Sequence, residues 1–243
     1  GMTCAACQAR VQKSVSNLTG VQECNVNLLK NSMVVTYDDG GTIDPTVKEL
    51  DTFLNFGDSI ADGTKIRFTG MAFVVLNIGK FHFVRCESEY LYSAIIYGDL
   101  DTEYKVGEYI PAGWTGVKGK VDGITVITGV EGLKPASVSA SNSDCEAFDF
   151  TGFLGTFKDG VSTYENDYCA FKTVAINNID ADGKFTITEV NADSTTSTMA
   201  GVNKFGIKYP TTTANMKFTV QGILTKSENG VGVTFVPTAI TEY

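Results

Sequence analysis

The chain has 243 residues and a net charge of −9 at pH 7, and 43% of its residues are hydrophobic. This is enough apolar material for one large or two to three small domains, while the acidic balance argues against DNA or RNA as a partner, because phosphate contacts dominate nucleic-acid affinity. No apolar run reaches the roughly 18–20 residues of a membrane-spanning helix, so the sequence predicts no membrane span.

The first 40 residues differ in pattern from the rest of the chain. Val11, Val15 and Leu18 are spaced four and three residues apart, which predicts one amphipathic helix. Two strand patterns follow, Val21–Leu29 and Ser32–Tyr37. We therefore predict a helix, a strand and a second strand in this segment.

Two cysteines, Cys4 and Cys7, stand just ahead of this helix in the run Gly-Met-Thr-Cys-Ala-Ala-Cys at residues 1–7. Thiolates are soft ligands for Cu(I), and a helix N-terminus favours the thiolate form. We therefore predict that Cys4 and Cys7 bind one soft metal ion, with Cu(I) as the expected ion. The alternatives are a redox pair of the thioredoxin type and a motif that no longer binds metal.

From residue 47 onward the sequence is a succession of short strand patterns joined by tight turns. Five patterns fall between residues 65 and 130, and five more fall between residues 168 and 240. The serine-rich segment Pro135–Asp144 separates them and is predicted to be a surface linker. Five strands over about 70 residues fit a small closed or partly closed barrel, so we predict two barrels in tandem.

Two local features are predicted at the start of the first barrel. Apolar residues at helical spacing indicate a short helix over Val47–Phe56. Lys65–Ile78 is predicted to be one long strand that bends at Gly70, because a glycine inside a strand pattern marks a bend or a bulge. The first barrel should therefore begin with a helix and a bent strand.

Other residues with chemical potential are interpreted as structural. Four further cysteines are predicted to be unpaired, namely Cys24, Cys86, Cys145 and Cys169. His82 is the sole histidine, and its position in an alternating strand predicts a solvent-facing residue rather than a catalytic base. Asp180–Gly183 is predicted to be a hairpin turn, because its glycine comes too early for a calcium loop.

Aromatic side chains of the first barrel can stack on a ligand, as they do in OB folds. The candidates are Phe68, Phe73, Phe81, Phe83, Tyr90, Tyr92 and Tyr97. Strand alternation places about half of them in the core, which favours a packing role. The acidic residues Asp99, Asp101, Glu103 and Glu108, near Trp114, are predicted to form a solvated loop.

The run at residues 1–7, together with Val26–Leu28 and Val34–Asp38, closely resembles the heavy-metal-associated domain of copper chaperones and copper-pumping ATPases. The resemblance implies a ferredoxin-like βαββαβ unit in which Cys4 and Cys7 bind one Cu(I) and Met2 packs beneath the loop. In that family a strand precedes the loop, and a second helix and a fourth strand complete the unit. Residues 1–40 are therefore expected to be an incomplete ferredoxin-like α+β segment.

A second resemblance covers residues 47–240. The stretches that carry it are Val47–Leu50, Ser93–Gly98, Gly107–Pro111, Gly201–Gly206, Val220–Ile223 and Val236–Ile240. They resemble the tandem OB-fold proteins on the surface of gut bacteria. The resemblance implies non-catalytic barrels, and the acidity of the chain favours a glycan or a protein as their ligand.

The sequence thus predicts a mainly β protein with two tandem five-stranded OB-like barrels, 47–135 and 144–243, after the partial metal domain at 1–40. One histidine and no paired-carboxylate or nucleophile motif predict a non-enzymatic binding protein with no catalytic residues. The alternative is a cell-surface or periplasmic glycan- or protein-binding protein in which residues 1–40 are only structural. The metal motif predicts a cytoplasmic location, whereas the barrels predict the cell surface or the periplasm.

Overall fold

The computed structural model describes residues 11, 12, 15, 21–27, 32–37, 46–86, 91–136, 138–159, 164–211, 216–227 and 232–243. The chain divides into two compact units, Gly1–Pro45 and Thr46–Tyr243. Strands dominate the described residues, so the prediction of a mainly β protein is confirmed.

The first unit contains an antiparallel hairpin of β1 (Val21–Asn27) and β2 (Ser32–Tyr37). Cys24 lies in the middle of β1, and its side chain is 2% exposed. The helical residues described in this unit are Val11, Gln12 and Val15. These elements follow the predicted order of a helix and two strands.

The second unit begins with an eight-stranded sheet, which we call the first barrel. Its strands are β3 (Lys48–Leu50), β4 (Lys65–Phe68), β5 (Ala72–Ile78), β6 (Phe81–Cys86), β7 (Ser93–Tyr97), β8 (Tyr109–Ile110), β9 (Thr115–Val121) and β10 (Ile124–Glu131). Their order is β3-β4-β9-β10-β7-β6-β5-β8. The pairs β3–β4 and β7–β10 are parallel, and the other pairs are antiparallel.

The predicted bend at Gly70 is confirmed, because it separates β4 from β5. A Cβ atom at Gly70 would lie 2.0 Å from the carbonyl oxygen of Asp51, so the close approach of the two backbones requires glycine. β4 pairs with β9, whereas β5 pairs with β6. The bent strand therefore connects the β9 side of the sheet with the β6 side, next to a core that includes Phe68 and Trp114.

The predicted helix over Val47–Phe56 is wrong. Residues 48–50 form β3, and the helix in this region is the four-residue α1 (Phe56–Ser59). The amide of Thr69 donates to the carbonyl oxygen of Leu50 at 2.7 Å, and Leu50 packs against the core of the first barrel. Pairing with a neighbouring strand therefore overrides the helical spacing of the apolar residues.

The remainder of the second unit is the second barrel. Its strands are β11 (Phe148–Asp149), β12 (Tyr168–Asn177), β13 (Lys184–Val190), β14 (Thr196–Val202), β15 (Phe218–Lys226) and β16 (Val233–Glu242). The order β12-β13-β14-β16-β15 closes on itself through the β12–β15 pair, and β11 lies beside β12. This closed five-stranded barrel confirms the prediction for the second half of the chain.

Two short helices accompany the second barrel. They are α2 (Asn142–Cys145) and a 3₁₀ helix at Leu154–Asp159. The carboxylate of Glu189, on β13, accepts the backbone N–H groups of Gly152 at 2.6 Å and Leu154 at 3.1 Å. This buried carboxylate therefore satisfies backbone donors at the start of the 3₁₀ helix.

The two barrels pack directly against each other through apolar side chains. Phe205 of the second barrel makes edge contacts with Phe81 and Phe83 of β6, at 5.2 and 5.9 Å between ring centroids. Ile223 and Val236 of the second barrel belong to the same buried cluster. The barrels therefore share a core along the outer face of β5, β6 and β7.

Pro135–Asp144 lies at the surface between the two barrels, as the serine-rich composition predicted, and it is also hydrogen-bonded to the first barrel. The amide of Tyr109 donates to Val138 at 3.0 Å, and the amide of Ala140 donates to Gly107 at 2.6 Å. The described residues of this segment are mostly exposed. Ser139 nevertheless forms an isolated antiparallel bridge with Glu108 of the first barrel. Backbone pairing therefore holds the connection in place.

A buried arginine joins the two barrels. Arg85, on β6, donates from Nη1 to the carbonyl oxygens of Asp144 at 2.5 Å and Glu146 at 2.8 Å, and from Nη2 to that of Tyr168 at 2.9 Å. Its guanidinium carbon lies 3.7 Å from the centroid of the Phe148 ring. One side chain of the first barrel therefore binds both the connecting segment and the first long strand of the second barrel.

Asp167 lies beside Arg85 and is 6% exposed. Burial raises the pKa of Asp167 from 3.8 to about 6, against the opposing effects of the Ser93 hydroxyl and the Arg85 charge. The folded protein thus holds this proton more tightly than the unfolded chain does. The resulting stabilisation is fully present below about pH 4 and is lost as the pH rises through about 6.

We expect Arg85→Met to lower the free energy of unfolding by about 3–5 kcal/mol, because the substitution leaves buried carbonyl groups without their donor. Arg67→Met is the matched control, since Arg67 is half-buried on β4 and should change the stability by less than about 1 kcal/mol. Urea denaturation of the full chain measures both values. Equal losses in the two variants would contradict the proposed role of Arg85.

We expect Asp167→Asn to remove one component of the pH dependence of stability. Between about pH 4 and about pH 7, the original chain should lose about 2 kcal/mol of unfolding free energy relative to the variant. Urea denaturation at several pH values measures this difference, with Asp182→Asn in an exposed turn as the control. A difference that stays constant with pH would show that Asp167 titrates normally.

Candidate functional site

The predicted metal ligands, Cys4 and Cys7, lie outside the described residues, and so does Met2. The described part of the first unit begins with helical residues at Val11 and Gln12, shortly after the thiols in the chain. The assignment of Cys4 and Cys7 as ligands therefore stays a prediction from the sequence.

The described residues contain no candidate for a second metal centre. Among the residues that the structure describes, no group of three or more His, Cys, Asp or Glu side chains is placed to hold a metal ion. Nor does the described part of the chain contain a helix that is long and apolar enough to cross a membrane. The metal hypothesis therefore depends on the N-terminal thiols.

The four described cysteines do not form disulfides with one another. Cys24, Cys86 and Cys169 are buried, whereas Cys145 is half-buried. Burial raises the pKa of the Cys145 thiol, and burial together with the nearby Asp167 charge raises that of Cys169 well above its ordinary value. Cys145 and Cys169 are therefore protonated at neutral pH and are poor nucleophiles and poor metal ligands.

His82, on β6, contacts oxygen atoms of Asn77 and Gly98. Its Nδ1 lies 2.8 Å from Oδ1 of Asn77, and its Nε2 lies 3.2 Å from the carbonyl oxygen of Gly98. The amide nitrogen of Asn77 in turn donates to the carbonyl oxygen of Tyr104 at 2.9 Å. The residue is half-buried, so it is partly accessible to solvent, and these contacts favour the structural role that the sequence predicted.

Asp180–Gly183 forms the predicted hairpin turn. The amide of Gly183 donates to the carbonyl oxygen of Asp180 at 3.2 Å. Oδ1 of Asp180 accepts the backbone N–H groups of Asp182 at 3.0 Å and Lys184 at 2.8 Å. The carboxylate therefore caps its own turn, which is the ordinary role of an aspartate at this position.

The aromatic residues proposed as a stacking surface belong largely to the protein interior. Phe68, Phe73 and Phe83 are at most 1% exposed. Phe81 and Tyr97 contact each other at 4.8 Å between ring centroids, and both lie in the cluster shared with the second barrel. Tyr92 packs against the core of the first barrel, and Tyr90 lies outside the described residues. The second barrel thus covers the aromatic face of the first.

The acidic loop and Trp114 occupy different environments. Trp114 is fully buried in the first barrel. Asp99 forms an exposed ion pair with Lys80 at 2.5 Å, and the carboxylate of Glu108 accepts the amide of Lys105 at 2.8 Å. Exposed pairs of this kind contribute little to stability, so the loop is a solvated surface as predicted.

Sequence reasoning missed the polar contacts between the barrels. Arg85 follows Phe81 and Phe83 in the alternation of β6, so a charged residue at an apolar position was the available signal. Glu165 is 7% exposed and accepts a hydrogen bond from the hydroxyl of Thr125 at 2.6 Å. No local pattern identifies Glu165, because its partner lies 40 residues away in the first barrel.

The first 52 residues match the heavy-metal-associated domain family. A copper-exporting P-type ATPase of Bacillus subtilis (strain 168) is 43% identical over 49 residues, which is 20% of this chain and 6% of the ATPase. The mercuric transport protein periplasmic component of Serratia marcescens is 45% identical over 42 residues, and that of Shigella flexneri is 49% identical over 39 residues. These two alignments cover 17% and 16% of this chain and 46% and 43% of the mercuric proteins.

The chain therefore spans less than half the length of each of these relatives. The family match also extends beyond the first compact unit, since residues 46–52 belong to the second unit and include β3. All three alignments are with metal-related proteins, and each covers at most 20% of this chain. Residues 1–52 thus carry the match to the heavy-metal-associated domain, and the β unit that begins at Thr46 overlaps the last seven of them.

Proposed function

We propose that this chain is a non-enzymatic soft-metal-binding protein in which Cys4 and Cys7 together hold one ion. The observation that carries the proposal is the family match over residues 1–52, which includes both thiols. The relatives named above are a copper exporter and mercuric transport components, and both metals are thiophilic. Cu(I) is the ion we propose, and Hg(II) shares the same ligand chemistry.

The chemistry of the two thiols supports this proposal. Each thiol must lose its proton to bind the ion, so binding releases protons and weakens in acid. Soft thiolates favour Cu(I) over hard cations such as Mg²⁺ and Ca²⁺, which require several oxygen ligands. Two thiolates close together in the chain are therefore a sufficient donor set for one soft ion.

We propose that the barrels act as a non-catalytic interaction module. Three features support this: the ring nitrogens of His82 lie within 2.8 and 3.2 Å of oxygen atoms of the protein, Cys145 and Cys169 are held in the protonated form, and Arg85 is engaged in backbone contacts. None of these groups is poised for proton transfer or nucleophilic attack. The barrels thus provide a rigid body to which the metal domain is attached.

We expect anaerobic titration with Cu(I), against a competing chelator, to give one bound ion per chain. Cys4→Ser/Cys7→Ser should weaken this binding at least about a hundredfold, or about 3 kcal/mol, because the substitution removes both thiolates. Cys145→Ser is the matched control, since it removes a half-buried thiol from the barrel unit.

Binding in the control should equal that of the original chain. Equal affinity in the double variant and the original chain would overturn the proposal. So would a stoichiometry that falls in Cys145→Ser, because the ion would then occupy the barrel unit.

A further inference from the structure

A half-open cleft of about 490 Å³ lies where the two barrels meet. Its floor is the outer face of β12 and β15, which presents Tyr168, Ala170, Thr219 and Gln221. One wall is the connecting segment that includes Cys145. The volume falls in the range of about 300–1,000 Å³ that is typical of small-molecule sites, and such sites favour domain interfaces.

The wall of this cleft is held in place before any ligand arrives. Arg85 binds the carbonyl oxygens of Asp144 and Glu146, on either side of Cys145. Phe148 then pairs with Cys169 in the parallel β11–β12 ladder. A site with fixed walls does not lose the ordering entropy that a flexible loop would lose on binding.

The floor of the cleft offers neutral hydrogen-bonding groups. The hydroxyl of Tyr168 donates to Oε1 of Gln221 at 3.3 Å. Ala170 pairs with Gln221 across the two strands, and its side chain is 3% exposed, so it adds little contact area to the floor. The hydroxyl of Thr219 lines the same floor. A ligand with several hydroxyl groups complements these polar side chains.

The charges at the edge of the cleft are largely compensated. Asp149 pairs with Lys172 at 2.8 Å, and the contacts of Asp149 with Lys172 and Thr151 lower its pKa to about 2. Glu146 adds a further carboxylate. With one lysine and two carboxylates lining the cleft, it does not favour phosphates or other anions.

The strand pairing also disfavours an extended peptide. Peptides commonly bind by adding main-chain hydrogen bonds to a free strand edge. β12 is paired with β15 on one side and with β11 and β13 on the other, while β15 is also paired with β16. Neither floor strand therefore presents a free edge.

We propose that this cleft binds a neutral saccharide of one or two rings. The site is independent of the N-terminal thiols. Gln221 and Thr219, which are both half-buried, bind ligand hydroxyl groups. Replacing either polar side chain therefore weakens binding without affecting the metal domain.

Cys145 provides the measurement, because it lines the cleft and is half-buried, whereas Cys24, Cys86 and Cys169 are at most 2% exposed. In full-length Cys4→Ser/Cys7→Ser protein, the rate of maleimide modification at Cys145 is measured with and without probes at about pH 8, because the protonated thiol reacts slowly at neutral pH. The neutral probes are glucose, galactose, mannose, N-acetylglucosamine, maltose and cellobiose. Glucose 6-phosphate and triglycine test an anion and a peptide.

We expect at least one neutral saccharide to slow the modification of Cys145. At a concentration of about ten times its dissociation constant, the rate should fall roughly tenfold. Thr219→Val and Gln221→Ala should each reduce this protection. The matched control is Thr198→Val, because Thr198 is an exposed threonine on β14 that does not line the cleft.

Three results would overturn the proposal. The first is the absence of protection by every neutral saccharide up to about 100 mM. The second is protection that Thr219→Val, Gln221→Ala and Thr198→Val leave equally unchanged. The third is protection by glucose 6-phosphate or triglycine alone. Loss of Cu(I) binding in Cys4→Ser/Cys7→Ser tests the metal domain only. It does not affect any of these three results.

Discussion

The contact of Arg85 with three backbone carbonyls determines how the two barrels are joined. A guanidinium that is buried without partners would cost several kcal/mol, so the contact is stable only when the carbonyl oxygens of both the connecting segment and β12 are in place. The flat side of the same group lies on the Phe148 ring. Directional bonds thus fix the register of an interface that apolar packing alone would leave free to slide.

This interface determines which surfaces are available for function. The outer face of β5, β6 and β7 is rich in aromatic residues, but the second barrel covers it, with Phe205 against Phe81 and Phe83. Ligand stacking on that face would require the barrels to separate. The two proposed sites lie elsewhere: one at the N-terminal thiols, and one in the cleft beside the connecting segment that Arg85 holds.

Local sequence patterns predicted the strands of the second barrel closely. Predicted Tyr168–Ile176 is observed as Tyr168–Asn177, because alternation and the Asp182-Gly183 turn act locally. The helix predicted at Val47–Phe56 was wrong because Leu50 satisfies a helical and a strand pattern equally, and pairing with β4 selects the strand. Contacts such as Arg85 with Tyr168, 83 residues apart, leave no local pattern to detect.

The central claim is that Cys4 and Cys7 bind one soft ion on a domain attached to a rigid β unit. X-ray absorption at the copper edge of the Cu(I)-loaded full chain tests it most directly, because the spectrum reports which atoms touch the metal. The account predicts sulfur as the nearest neighbour of copper, and loss of that signal in Cys4→Ser/Cys7→Ser. Nearest neighbours that are only nitrogen or oxygen, or a sulfur signal that survives the double substitution, would contradict it.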